Sequence, residues 1–325
     1  MTRPPFFVAK KYSALPAHEG IVSKTSLLHV SSKFDHCKSD RSITENYMKP
    51  MKNIICTLLC LVFFASLSFA ASGLNNPSAL AVDAKGNLWV ANQGANNILK
   101  FNVNYVLQPK ATITAGINAP TGIALDPLGN LWVVDSVNGE VTEYANGVQN
   151  TAATITDEIV SPAGLAIDGL GNIWVANAFS NVTVYAENAP FAAHASLIRT
   201  FTPGTPVYSI AIVGGSLAWG SLSQASLTAI ESELVRTPST LAIANSKTTL
   251  ALAGGAKGLV YMANIDGTIS VYTPATNATT QFLNLGAVPT GIVVDKARGR
   301  VYISNGAANT ISVYSTTGVL LHTIQ

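Results

Sequence analysis

From Pro77 onward, apolar and polar residues alternate in short runs, and the runs return on a fixed beat. Pro77-Ser78-Ala79-Leu80-Ala81-Val82-Asp83 leads through Gly86-Asn87 to Leu88-Trp89-Val90-Ala91-Asn92, and the stretches Pro120 to Asp135 and Pro162 to Asn177 restate it. Alternation of this kind predicts strands with one side toward a core. The Asp-x-x-Gly-Asn between paired runs predicts a tight hairpin turn, because the carboxylate can hold the turn backbone and glycine takes the left-handed conformation. A third run follows each hairpin, at Ile98 to Phe101, Val141 to Tyr144, Val182 to Tyr185, Leu227 to Ile230, Ile269 to Tyr272 and Ile311 to Tyr314. Looser fourth runs occupy Ala111 to Thr114, Ala153 to Thr156, Leu197 to Phe201, Gln281 to Leu285 and Val319 to Ile324.

The beat is carried by aromatics. Trp89, Trp132, Trp174 and Trp219 are spaced 43, 42 and 45 residues apart, and Tyr261 and Tyr302 continue the count at 42 and 41. A fixed period of this length marks repeating units, each hiding an apolar face against the next. Four strands per unit, six units and no helical period predict an all-β fold, a six-bladed β-propeller of four-stranded antiparallel blades. The proline landmarks are irregular in the fourth and fifth units, at Pro206, Pro238 and Pro289. Counting back from the aromatics puts the fifth unit's first strand at Leu250 to Ala253 and the fourth unit's outer strand at Thr237 to Ala244. Gly254 to Gly258 is expected to be a hairpin turn, and the fourth unit has Gly214-Gly215 where its siblings have an aspartate-led turn. Each periodic ring removes about 150 to 250 Å² from water on burial. At about 25 cal/mol per Å² this is at most roughly 4 to 6 kcal/mol, so the rings are expected in the core.

The chain ahead of the repeats has a different character. Lys49 and Lys52 precede the apolar run Ile54 to Phe64, and Ser68-Phe69-Ala70 places small residues where a signal peptidase reads. The expected organisation is an N-terminal extension over 1–50, a signal peptide over 51–70, and the propeller over 71–325. The product is then secreted or periplasmic. The alternative is an uncleaved membrane anchor, since Ile54 to Ala71 is just long enough to span. Export signals act at the N-terminus, so a start at Met48 or Met51 rather than Met1 is expected.

Charge and cysteine sharpen this division. The formal net charge is +2, but nine of the nineteen Lys and Arg precede Ala71. From Ala71 onward ten basic face thirteen acidic side chains, which leaves no basic stripe for nucleic acid. Cys37, Cys56 and Cys60 all precede Ala71, so the repeats use neither a disulfide nor a thiolate metal site. Charged residues are only 11% of the chain, and Asn, Thr, Ser and Gly must supply the polar surface.

The run Pro-x-Gly-(Ile/Leu)-Ala-(Leu/Ile)-Asp followed by Gly-Asn-(Leu/Ile)-Trp-Val-(Ala/Val)-(Asn/Asp), as in Pro120 to Asp135 and Pro162 to Asn177, resembles NHL repeats and, more broadly, TolB-like six-bladed propellers that include gluconolactonase-type proteins. The resemblance spans Pro77 to the end, strongly in units one, two, three and six. It implies an architecture and little about activity, because such blades serve as binding scaffolds, lyases and lactonases. The Gly-Asn-Leu-Trp-Val wording is also similar to virginiamycin B lyases, and peptidylglycine amidating lyases have similar blades. Both resemblances imply catalytic or metal-binding histidines, whereas the repeats hold only His194 and His322, too few for a three-histidine site.

One ring of positions could carry chemistry. Three residues beyond each aromatic come Asn92, Asp135, Asn177, Leu222, Asn264 and Asn305, where a second strand ends at the channel mouth. Five of these are amide or carboxylate, oxygens that can hold Ca²⁺ or the polar groups of a ligand. The lactonase resemblance likewise implies a divalent ion held by Asn, Asp and Glu at this mouth. Against this, Asn and Asp commonly end strands and start turns, and hard cations favour several carboxylates where this ring has one. The opposite turns carry Asp83, Asp126, Asp168 and Asp295, expected to be structural. No phosphate-binding loop, nucleophile elbow or paired CxxC occurs. Asn181 and Asn277 begin glycosylation acceptor patterns. The expectation is therefore a non-catalytic binding module with no cofactor, presenting Asn92, Asp135, Asn177, Asn264 and Asn305 to an extracytoplasmic protein, peptide or glycan. The alternative is a divalent-metal-dependent lactonase or lyase built around Asp135.

Overall fold

The aspartate-led turns form as their chemistry requires. Asp83 Oδ1 accepts the backbone N–H groups of Lys85 and Asn87, and Asp168 Oδ1 accepts those of Leu170 and Asn172. Gly86, Gly129 and Gly171 take φ of +84°, +88° and +86° at the same turn position, a region that side chains with a Cβ seldom enter. Each turn joins two strands whose alternate residues are buried on both faces of the hairpin. In a computed structural model, the described residues are 73–178, 181–186, 196–202, 206–213, 216–220, 226–231, 239–242 and 247–325. The side chains of the strands between 216 and 242 are not among them. The expected extension over 1–50 and export signal over 51–70 lie outside the described residues, as do Gly214-Gly215, Leu222 and His194.

Among the described residues, twenty-three strands follow in chain order. They are β1 (Pro77–Val82), β2 (Leu88–Asn92), β3 (Asn97–Phe101), β4 (Pro120–Leu125), β5 (Leu131–Asp135), β6 (Glu140–Ala145), β7 (Val148–Ile155), β8 (Pro162–Ile167), β9 (Ile173–Asn177), β10 (Asn181–Ala186), β11 (Ser196–Phe201) and β12 (Ser209–Val213). The remainder are β13 (Ser216–Gly220), β14 (Ser226–Glu231), β15 (Ser239–Ala242), β16 (Thr249–Gly254), β17 (Val260–Asn264), β18 (Thr268–Thr273), β19 (Ala278–Asn284), β20 (Gly291–Asp295), β21 (Arg300–Asn305), β22 (Thr310–Ser315) and β23 (Leu320–Ile324). β4–β7, β8–β11, β12–β15, β16–β19 and β20–β23 are four-stranded antiparallel blades with strands in sequence order, and β1–β3 is a three-stranded sheet. The first strands contact one another in the cycle β1, β4, β8, β12, β16, β20 and back to β1, so they surround a common axis.

The expected six four-stranded blades are thus five, because the first sheet stops at its third strand. Ala111 to Thr114 was expected to be its outer strand. Instead a 3-10 turn occupies Pro109–Ala111, and the segment meets β3 through the isolated bridges Ile98↔Ile113 and Phe101↔Leu107 and the Gln108 N–H to the Lys100 carbonyl, not as a continuous strand. The physical cause is local: Pro109 has no N–H for a ladder, and Tyr105 at φ +65° turns the chain sharply after β3.

The axis is lined by close backbone approaches and hydroxyl stitches. Ser78 Oγ donates to the Pro120 carbonyl at 2.8 Å, Thr121 Oγ1 to Pro162 at 3.4 Å and Thr290 Oγ1 to Pro77 at 2.6 Å, each linking neighbouring first strands. A register shift recurs just after the start of β1, β4, β8 and β16, a bulge that bends each strand as it meets its neighbour. Gly291 lies so close to Ser78 that a Cβ there would sit 2.0 Å from the Ser78 carbonyl oxygen.

The periodic aromatics whose side chains are described pack in the core. Trp132 and Trp174 are each 2% exposed, Tyr261 and Tyr302 are buried, and Trp89 is the least covered at 9%. Trp132 packs with Ile155, Leu165, Ile173 and Tyr185, so its cluster is built from two neighbouring blades. Tyr302 does the same across the junction between last and first sheets, with Leu80, Leu88 and Phe101.

Candidate functional site

Three places could carry chemistry: the mouth ring, the channel, and a cleft beside the three-stranded sheet. At the mouth, Asn92, Asp135, Asn177 and Asn264 are buried and Asn305 is half-buried. Asn92 Oδ1 accepts the Asn75 N–H at 2.6 Å, Asp135 Oδ2 that of Asn118 at 2.6 Å, and Asn177 Oδ1 that of Val160 at 3.0 Å. In each case the donor lies 17 residues earlier, in the connection leading into the same sheet. The side chain therefore clips the end of the second strand to the start of the first. Asn92 Nδ2 then donates to Gly73 O and Asn97 Oδ1, and Asn177 Nδ2 to Asn181 Oδ1 and Thr183 Oγ1. Asn264 Nδ2 donates to Thr268 and Ser270 while its Oδ1 accepts from Thr249, and Asn305 Oδ1 accepts the Ala308 N–H. The hydrogen bonds given for the five side chains stay within their own sheet or its connections, so each serves its own blade's backbone and turn.

Asp135 shows the electrostatic cost of this placement. Burial pushes its carboxyl above the usual aspartate value, against hydrogen bonds from the Asn138 and Asn118 backbone that favour the ionised form. The divalent ion implied by the lactonase resemblance does not fit these donors. The amide oxygens of Asn92 and Asn177 already accept backbone N–H groups, and the one carboxylate is spent on Asn118 and Asn138. Among the described residues no group of three or more His, Cys, Asp or Glu is placed to hold a metal.

The channel itself is narrow. Its free volume is about 120 Å³, lined by the first strands through residues such as Leu80, Gly122, Gly164, Ser209, Ala251 and Gly291. Pockets for small organic ligands run to roughly 300 Å³ and more, so the channel is a seam between blades rather than a ligand cavity.

The opposite turns carry a coupling that pattern reading missed. Trp132 Nε1 donates to Asp126 Oδ2 at 3.3 Å and Trp174 Nε1 to Asp168 Oδ2 at 3.1 Å, so one carboxylate holds both its turn and the indole six residues on. In the last blade Tyr302 has no indole donor, and Arg298 pairs with Asp295 at 3.2 Å instead. Where the fifth blade lacks the aspartate, Tyr261 packs over Gly255. The invariant spacing of aspartate and tryptophan was the available signal.

In sheet β1–β3 the coupling is looser. Asp83 Oδ2 accepts from Asn87 Nδ2 at 2.7 Å, with the Lys100 ammonium at 3.6 Å, and Trp89 Nε1 reaches no acceptor in good hydrogen-bond geometry although it still lies near enough to favour the ionised Asp83. Burial would raise the Asp83 carboxyl, but the Asn87 hydrogen bonds, Lys100 and the nearby Trp89 indole outweigh it and hold it below the usual value. The Lys100 Nζ lies 4.3 Å from the Trp89 ring centroid, a cation–π distance. Between this sheet and β4–β7 opens a cleft of about 880 Å³, bounded by Trp89, Lys100, Lys110, Ile113, Leu128 and Tyr144 among others. The Tyr144 hydroxyl is turned inward to the Ala115 carbonyl at 2.9 Å, and burial lifts its pKa to about 12.

A ring of antiparallel blades joined in this way defines a β-propeller, and comparison with known structures agrees. A structure of streptogramin B lyase is 14% identical with a TM-score of 0.59, over 80% of this chain and 85% of that one. A catalytically inactive histidine-to-alanine variant of virginiamycin B lyase from Staphylococcus aureus with quinupristin is 14% identical with a TM-score of 0.57, over 75% of this chain and 83% of that one. The nidogen/laminin complex gives 14% identity and a TM-score of 0.59, over 71% of this chain and 90% of that one. No protein-family model and no curated protein sequence matches the chain. At such identity the likeness establishes the fold alone.

Proposed function

We propose that this chain is an exported, non-catalytic binding module of the NHL-repeat and TolB-like kind, with sheet β1–β3 as the sixth blade of its ring. It presents its loops and the cleft beside that sheet to an extracytoplasmic protein or peptide. The observation that supports this best is the division of polar groups. The mouth oxygens serve the protein's own backbone, while the cleft offers ammonium groups and apolar walls. Such groups suit the holding of a partner. The fold neighbours include both lyases and a protein solved in complex with laminin, so the fold alone favours neither class. His322, one of two histidines the lyase resemblance could use, stacks on Tyr105 with centroids 4.5 Å apart and joins the outer edges of the last and first sheets.

Calorimetry with Ca²⁺, Mn²⁺ and Zn²⁺ tests the reading against the metal-dependent alternative. The expected outcome is no saturable heat and no metal-dependent rise in melting temperature, with wild type and Asp135→Ala alike in this respect. Saturable binding that Asp135→Ala abolishes, accompanied by lactone turnover, would overturn the binding-module reading.

A further inference from the structure

We infer that the cleft between sheets β1–β3 and β4–β7 is a docking groove for an extended acidic peptide segment of a partner protein, an inference that rests on the binding-module reading. Its shape comes from a missing element. In sheet β8–β11 the outer strand runs its full course and lays Phe201 on Trp174, with centroids 5.8 Å apart and planes 12° from parallel. In the first sheet the corresponding segment is interrupted by the turn at Pro109–Ala111. Trp89 is then covered by an ammonium group rather than a ring. The edge that a continuous strand covers in sheet β8–β11 is met here only by short bridges from 107–113, and a groove opens beside them. Its volume of about 880 Å³ lies within the range of ligand sites, roughly 300 to 1,000 Å³.

Charge selects the occupant. The two carboxylates at the cleft are already committed: Asp126 accepts from the Asn130 N–H, the Asn130 side chain and Trp132, and Asp83 from Lys85, Asn87 and Lys100. Lys85 and Lys110 are exposed at the same rim and have no partner among the described residues. The lysines bracket a wall of Val82, Leu125, Leu128 and Ile113, with Leu128 81% exposed. An extended chain places alternate side chains on opposite sides, so a segment alternating acidic and aliphatic residues meets ammonium groups with one set and this wall with the other.

The test is fluorescence anisotropy on the full chain with three labelled octapeptides, alternating Glu/Leu, Ser/Leu and Lys/Leu. Saturable binding of the Glu/Leu peptide alone is expected, weakening with salt. Lys85→Ala with Lys110→Ala should weaken it about tenfold, whereas Lys257→Ala with Lys296→Ala, exposed at other turns, should leave it unchanged. Equal binding of the Ser/Leu peptide, indifference to the Lys85 and Lys110 changes, or complete displacement by octanoate would each overturn the proposal. So would no binding of any peptide. If the chain then still retained another ligand, from a peptide or glycan array, that loop variants outside the cleft abolish, the binding-module reading would survive and only the groove would fall.

Discussion

Gly291 sits where the last blade meets the first, and Gly291→Ala puts the closure of the ring to a direct test. An added Cβ would lie 2.0 Å from the Ser78 carbonyl oxygen and 2.8 Å from Ser304 Oγ. The obstacle is backbone, which cannot rotate away as a side-chain tip could. Ser304 Oγ also donates to that same carbonyl at 2.8 Å, so relief of the clash by moving β1 breaks the bond. Overpacking costs about 1 to 3 kcal/mol and a lost hydrogen bond about 1 kcal/mol, together roughly 2 to 4 kcal/mol. At about 2 to 4 °C per kcal/mol for a domain of this size, melting should fall by roughly 4 to 16 °C. Gly169→Ala is the control, because no atom lies within 4 Å of its Cβ position and its φ is not positive; it should change stability by less than about 1 kcal/mol. Thermal melts followed by circular dichroism measure both. If Gly291→Ala melts with the wild type, or Gly169→Ala falls as far, then the first and last sheets are not pressed together in this way.

Three further outcomes follow from the same geometry. Asp168→Ala removes the acceptor of the Leu170 and Asn172 N–H groups, the Asn172 side chain and Trp174 Nε1, and urea titration should show a loss of about 2 to 4 kcal/mol; a loss below about 0.5 kcal/mol would show that these bonds are replaceable. Thr290→Val deletes the stitch to Pro77 and should cost about 1 kcal/mol, read by the same titration, with no cost refuting the role given to the hydroxyl. Asp135 has a raised pKa in the fold, so its favourable contribution is complete below the unfolded value and is lost as pH rises through the folded one. The stability of Asp135→Asn relative to wild type should therefore climb as pH rises through and above the ordinary aspartate range, and a flat difference would contradict a buried, poorly solvated carboxylate.

Much of the architecture could be read before any coordinate, for a physical reason. Strands with period-two patterning and turns that need Gly at positive φ leave few alternatives, and β5, β9 and β17 fall at Leu131–Asp135, Ile173–Asn177 and Val260–Asn264, where alternation and aromatics place them. The irregular fifth unit was also legible, since β16 spans Thr249–Gly254 around the expected Leu250 to Ala253. The outer strand of the first sheet was not. Ala111 to Thr114 has acceptable strand residues, and only Pro109 and the tight turn at Tyr105 decide against it. Patterning scores side chains, whereas a missing N–H and a positive φ act through the backbone.

The mouth ring illustrates a different limit. Asn92 and Asn177 have the composition of a ligand ring, and their recurrence looks the same whether their oxygens face a channel or a backbone N–H. The distinguishing fact is a partner 17 residues upstream, and a backbone donor has no letter in the sequence. Repetition therefore identifies what all units need in common, here clips, turns and wedge-filling rings. The proposed groove lies instead where one unit departs from the rest. In the first sheet the residue paired across from the tryptophan is Lys100, where the next two sheets have Glu143 and Val184. With lysine there, an ammonium lies over the ring and beside Asp83, at the cleft between the first two sheets.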